Sequence, residues 1–224
     1  MASPADWFKR LLFELGAGYY ARKLADGPEA NLRREFADWI APSPGARVLD
    51  VGCGPGHVAR LLARRGCSVI GVDPGWRLLR IARRLATREG LSIRFERAAG
   101  ERLPFATGAF DLTLATTVIY WVARPEAVLC EMARVTRAGG VVATLDAHAS
   151  MTVASMRAYC ENMRFTRADT RKLMAWARAS KHCRRFTEEE LRSLLYGAGL
   201  AEQHCERRLA GLVWFVRGVV PQKP

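Results

Sequence analysis

The chain has 224 residues, half of them hydrophobic, and carries 35 Lys plus Arg against 22 Asp plus Glu, a net charge of +13. That length and apolar content supply the core of one ordinary domain, so neither a disordered chain nor a stapled mini-protein fits. Six cysteines without a C-x-x-C pair argue against a zinc ribbon or disulfide framework, and the longest uncharged apolar run, 112–123, is too short to cross a bilayer.

Taken in order, the chain opens with Ser3-Pro4-Ala5-Asp6, an N-cap serine with proline at the first helical position. Trp7, Phe8, Leu11, Leu12 and Leu15 then recur at helical spacing until Gly16 and Gly18. This start lacks the basic-then-apolar order of a signal peptide, so a cytoplasmic location is expected. After Tyr19 and Tyr20, a second helical pattern with Leu32, Phe36, Trp39 and Ile40 is closed by Pro42 and Pro44. Residues 1–45 thus read as an N-terminal helical cap.

From 46 to 146 strands and helices alternate. The spacing predicts strands over 47–51, 68–72, 92–97, 110–115 and 140–146, with helices over 57–65, 76–88 and 125–136. Such alternation with near-continuous apolar strands argues for a parallel sheet covered on both faces. Residues 150–185 follow as a helical lid insertion, broken at Thr166-Arg167-Ala168-Asp169. Next, Thr187 and Glu190 form a capping box flanked by the staple pair Phe186 and Leu191. Apolar runs at 200–205 and 212–216 read as a closing hairpin-like pair, so 186–218 supplies a last helix and two strands. Charge is uneven: 157–185 holds nine basic residues against Glu161 and Asp169, a local net of +7 that attracts anions.

The stretch Val48-Leu49-Asp50-Val51-Gly52-Cys53-Gly54-Pro55-Gly56-His57 is a strand, a glycine turn and a helix start, an arrangement that aims backbone N–H groups and a helix N-terminus at one spot. A dinucleotide fingerprint would need a glycine where His57 stands, and no Gly-Lys-Ser/Thr follows for a phosphate loop. Asp50 before the turn suits a cationic ligand better than a pyrophosphate. Asp73, at the tip of the second strand, can accept from both hydroxyls of a ribose. A nucleoside with a positively charged end is the ligand these residues describe.

With these blocks, and with E-R-L-P-F at 101–105, F-D-L at 110–112 and E-M-A-R-V-T-R-A-G-G at 131–140, the chain resembles the class I S-adenosylmethionine-dependent methyltransferases. The likeness is to their small-molecule branch, type 11 and ubiquinone/menaquinone C-methyltransferase-like, and runs from about residue 30 to 146. It implies a Rossmann-like α/β fold, a seven-stranded, mostly parallel sheet with helices on both faces and a final antiparallel strand. It also implies S-adenosylmethionine as cofactor and S-adenosylhomocysteine as product. Gly52, Cys53, Gly54 and Gly56 would cradle the methionine part, with Asp50 near its amino group. Asp73 would take the ribose, and Pro74, Gly100 and Glu101 would meet the adenine. Thr116 would line the pocket floor, and Tyr20 would cover the cofactor.

Two positions depart from that pattern. Ala99 stands where the family often has an aspartate for the adenine amino group, a difference of about 1–2 kcal/mol in affinity. Thr136-Arg137-Ala138-Gly139-Gly140 lacks the usual proline. Methyl transfer needs a base only when the nucleophile must lose a proton. His148 is the first candidate for that base and Tyr120 the second, with His57 and Trp121 also at the rim. The reading that follows is a methyltransferase for a small organic acceptor, anionic or neutral. The alternatives are an RNA methyltransferase using 157–185, opposed by the lack of an N-P-P-Y-type loop after strand four, and a non-catalytic cofactor-binding regulator. Cys160, Cys183 and Cys205 also raise a thiolate site for a metalloid acceptor.

Overall fold

A computed structural model describes residues 16–22 and 24–222; the amphipathic helix expected from Ser3 to Leu15 lies outside them. After a helical segment at 16–22 come α1 (Pro28–Ile40), β1 (Arg47–Val51), α2 (His57–Arg64), β2 (Ser68–Val72), α3 (Trp76–Arg88) and β3 (Arg94–Glu96). β4 (Phe110–Thr116), α4 (Pro125–Val135) and β5 (Thr136–Ala147) complete the alternating part. The remainder is α5 (Val153–Asn162), α6 (Arg167–Ser180), α7 (Glu188–Gly197), β6 (Ala201–Arg208) and β7 (Val213–Val219).

The strands form one seven-stranded sheet in the order β3-β2-β1-β4-β5-β7-β6. The first five are mutually parallel, and β7 runs antiparallel between β5 and β6. Every parallel strand therefore ends on the same rim. The order reverses between β1 and β4, which opens a crevice at that rim where open α/β sheets hold ligands.

Both faces are covered because neighbouring residues of a strand point opposite ways. Phe215 packs against Phe36 and Trp39 of α1 at 5.1 and 5.7 Å between ring centroids. Trp214, one residue earlier, faces the other layer and donates its indole N–H to the Phe186 carbonyl at 3.0 Å. Phe186 and Leu191 are both buried, and the Thr187–Glu190 capping box forms as the spacing predicts.

Element ends differ where pairing, and not hydrophobicity, sets them. β3 is three residues long because β2 pairs with it only from Ile70 to Val72. β5 starts at Thr136, four residues before the expected strand, through a Phe110–Thr136 pair ahead of a register shift. β6 continues through Glu206, Arg207 and Arg208, a charged end that ladder bonds to β7 hold in place. The turn without proline is secured otherwise: Arg137 donates to Asp111 at 2.7 Å, and a Cβ on Gly140 would lie 2.8 Å from two backbone oxygens.

The insertion after β5 is a two-helix hairpin. Thr152 and Ser155 cap α5 reciprocally, and Thr166 caps α6 by accepting from the Asp169 N–H. The far side of α6 reaches α1's approach, where Lys172 ion-pairs with Asp26. No described helix is long and apolar enough to cross a membrane.

Candidate active site

At the end of β1 the chain turns through Gly52, Gly54 and Gly56, all with positive φ (69°, 53° and 73°). A Cβ on Gly52 would sit 2.3 Å from a Val118 methyl, so both conformation and space demand glycine there. The turn is pinned to the next strand, since the Gly52 and Cys53 N–H groups both donate to the Val72 carbonyl at 2.8 and 3.0 Å. Asp73 completes the cradle by accepting from the Gly54 N–H at 2.9 Å and the Gly75 N–H at 2.7 Å. From behind, Arg60 donates to the Pro55 and Gly56 carbonyls at 2.8 and 3.1 Å and pairs with Glu89 at 3.0 Å.

Charge under the turn is unusual. Asp50 is 1% exposed, and neither of its oxygens has a partner at hydrogen-bonding distance. Burial raises its pKa from 3.8 to about 7; the Ala59 amide opposes the shift and Asp73 adds to it. The counterweight is Arg33 on α1, 2% exposed, which donates to the Thr117 hydroxyl at 3.3 Å and pairs with Glu29 at 3.7 Å. Nothing in the spacing of α1 marks Arg33, because a buried arginine looks in sequence like any solvent-facing one. Tyr20 hydrogen-bonds Thr117, and its ring lies 3.7 Å from where a Gly54 Cβ would be. Cys53 is buried in the turn, its thiol pushed well above the ordinary range by burial and by Asp50, so it is inert. His57, at the first position of α2, is held neutral: burial and Arg33 lower its pKa to about 3.

The residues expected around the adenine gather at the same rim. The Pro74 carbonyl accepts from Arg97 at 3.1 Å. Gly100 and Glu101 form a tight turn between Ala99 and Arg102, which close an isolated bridge. This turn leads into the Leu103-Pro104-Phe105 segment, and the structure explains why that block accompanies Glu131-Met132-Ala133-Arg134. Glu131 accepts from the Leu103 N–H at 2.7 Å, while Arg134 donates to the Phe105 and Leu103 carbonyls at 2.8 and 3.0 Å. Thr116 is buried at the end of β4.

After β4, Tyr120 is 4% exposed and its hydroxyl accepts from the Trp176 indole of α6 at 3.1 Å. Burial lifts its phenol well above 10, which suits a wall and not a base. Its position is set by Asp146, a residue that sequence reasoning left at a strand end. The Asp146 carboxylate accepts from the Tyr120 N–H at 3.2 Å, its other oxygen is unpartnered, and burial raises its pKa to about 8. His148 meets Trp214 at 5.0 Å, and its Nδ1 accepts from the Ser150 N–H at 2.8 Å. The neutral ring therefore carries its proton on Nε2, leaving no lone pair directed outward. Burial and Arg207 also lower its pKa. Of the two expected bases, neither is poised as one. Cys160 is buried in the lid, Cys183 and Cys205 are half-buried, and no group of three His, Cys, Asp or Glu among the described residues could hold a metal.

Five parallel strands, an antiparallel β7 inserted between β5 and β6, and a glycine cradle at the switch point are the arrangement that the resemblance to class I S-adenosylmethionine-dependent methyltransferases implies. Residues 49–144 match the family described as "Methyltransferase domain". A ubiquinone biosynthesis O-methyltransferase from Hahella chejuensis is 38% identical over 109 residues, covering 48% of this chain and 46% of that protein. The chain thus spans about half the length of the curated relatives it matches. In fold it is similar to phosphoethanolamine N-methyltransferase 2 of Haemonchus contortus, solved with S-adenosyl-L-methionine (TM-score 0.74, 15% identity, 99% of this chain and 61% of that one). It is similar also to the [4+2]-cyclase SpnF (TM-score 0.72, 16% identity, 95% of each).

Proposed function

We propose that this protein transfers a methyl group from S-adenosylmethionine to a hydroxyl of a small organic acceptor. The observation that carries the cofactor's placement is Asp50: a buried carboxylate with two unpartnered oxygens beside a glycine cradle is matched by a cationic amino-acid end. Gly52, Cys53, Gly54 and Gly56 would hold the methionine part, with Arg33 set to meet its carboxylate. Asp73 would hold the ribose, and Pro74, Gly100 and Glu101 the adenine. Tyr20 and Thr116 would close the pocket. When bound, the cofactor supplies an electrophilic methyl group on a sulfonium. The chain contributes binding, orientation and exclusion of water.

A hydroxyl acceptor is supported by the relatives named O-methyltransferases. Tyr120, Trp121 and the inner face of α6 offer an apolar wall for it. With Tyr120 and His148 engaged elsewhere, an acceptor already ionised near neutral pH, such as an acidic phenol, needs no base from the chain. Calorimetry with S-adenosylmethionine tests the first half: micromolar binding is expected, weakened at least tenfold in Asp73→Ala. Equal binding by that variant would sink the cofactor placement. A cofactor-consumption screen across phenols, carboxylates, amines and thiols tests the second half, and turnover confined to amines or thiols would overturn the hydroxyl acceptor. The SpnF likeness supports a second outcome, in which the cofactor binds and no acceptor is methylated.

A further inference from the structure

The outer side of the α5–α6 hairpin carries an open groove of about 740 Å³ lined by Arg157, Arg164, Arg167, Arg171 and Arg178, with Glu161 as its one carboxylate. All five arginines are exposed, and none of their guanidinium groups makes an ion pair, hydrogen bond or ring contact among the described residues. Several arginines elsewhere on the surface have carboxylate partners, Arg64 with Glu89, Arg137 with Asp111, Arg184 with Glu126 and Arg192 with Glu188, and no other described pocket is lined by five unpaired ones. The groove floor is different in kind. Cys160 and Met174 are buried there, and half-buried Phe165 meets the Tyr159 ring at 5.6 Å with the planes tilted by 56°.

Two geometric facts say what fits. Arg167 and Arg178 stand eleven positions apart on one helix, about 16 Å along its axis at roughly 1.5 Å per residue. One phosphate or carboxylate cannot neutralise charges spread over that length, whereas a chain of phosphates can. The site is also concave, and a planar bilayer cannot enter a groove between two helices. Guanidinium groups match phosphate oxygens in a bidentate fork, and an aromatic floor accepts the face of any base. We propose that the α5–α6 groove binds a single strand of nucleic acid, its phosphates on the arginines and a base against Phe165. The groove does not belong to the methyl-transfer site. Trp176, which bonds Tyr120, is two residues from both Met174 and Arg178, so at about 100° per residue it points to the opposite side of α6.

Fluorescence anisotropy with a labelled RNA of roughly 12 nucleotides, read at roughly 50 and 200 mM salt, tests this. Wild-type binding is expected, and the triple variant Arg167→Gln/Arg171→Gln/Arg178→Gln should bind at least tenfold more weakly. Its slope of log K against log salt should be shallower by about 2, at about 0.7 per lost phosphate contact. The control Arg84→Gln/Arg88→Gln removes charge from α3 instead and should change the slope little. If it weakens binding as much, net charge and not the groove is responsible, and the proposal fails. It fails also if wild type does not bind, or if the triple variant binds like wild type. Capture of the protein by phosphatidylglycerol vesicles through the same arginines, without RNA binding, would transfer the groove to a membrane. Photocrosslinking of a thiouridine-containing strand to wild type should mark the 157–178 peptides, a readout that does not depend on any variant folding. Crosslinks confined to other peptides would overturn the assignment.

Discussion

Replacing Asp50 by Asn should change how stability depends on pH more than it changes stability at any one pH. In the folded protein the Asp50 carboxyl keeps its proton to about pH 7, while its ordinary value is 3.8. An acid whose native pKa is raised binds a proton that the unfolded chain has already lost. Stability therefore falls as pH rises from about 4 to about 7 and levels off above. At about 1.4 kcal/mol per pH unit, the ionised protein carries a cost on the order of 4 kcal/mol, of which about 3 kcal/mol accumulates between pH 5 and pH 8. Asn has no such titration. Urea unfolding of both proteins without cofactor at those two pH values should show wild type losing about 3 kcal/mol more than Asp50→Asn. Asp146, raised to about 8 by burial, tilts both curves alike and cancels in the difference. Parallel curves would refute the reasoning, because the group that titrates would then not be Asp50. Cofactor should reverse the trend: a cationic ligand beside Asp50 favours its ionised form, so affinity should rise with pH up to about 7 in wild type and stay flat in the variant.

Other substitutions separate the parts of the site. Asp73→Ala removes the acceptor of two backbone amides as well as the ribose partner, so it should lower the melting temperature and weaken S-adenosylhomocysteine binding by about 2–4 kcal/mol in calorimetry. Gly52→Ala meets the Val118 methyl at 2.3 Å and a φ of +69°; it should cost about 2–4 kcal/mol in denaturant unfolding, and adding Val118→Ala should restore only the steric share. Glu131→Gln weakens the brace on Leu103 and Arg134, which should cost about 1–2 kcal/mol and loosen hydrogen-exchange protection over 102–106. Trp176→Phe deletes the donor to Tyr120 and should raise the acceptor KM several-fold while leaving cofactor affinity unchanged; an equal loss in both would mean that the lid contact serves the fold alone.

The conformation of the glycine turn was legible because its demands are local. The three glycines, Asp50 and Asp73 lie on one strand–turn–helix and the tip of the next strand, so spacing alone reports their conjunction. The contacts around Tyr120 were not. Tyr120 is contacted by Trp176 from fifty-six residues away and by Asp146 from twenty-six, and no periodicity joins such positions. His148 was a reasonable base by position, but its tautomer depends on the Ser150 N–H.

Alternating apolar strands and amphipathic helices determine by themselves a parallel sheet, its single ligand rim and the glycine cradle, since hydrophobic period and backbone conformation are properties of adjacent residues. Tertiary structure decided which charges are buried. Asp50, Arg33 and Asp146 look like any other charged residues in the chain. Asp50 and Asp146 are perturbed only because packed layers exclude water around them, and desolvation is a property of the whole fold. The same packing made Tyr120 a wall, left the five groove arginines without ion pairs among the described residues and set the ends of β5 and β6.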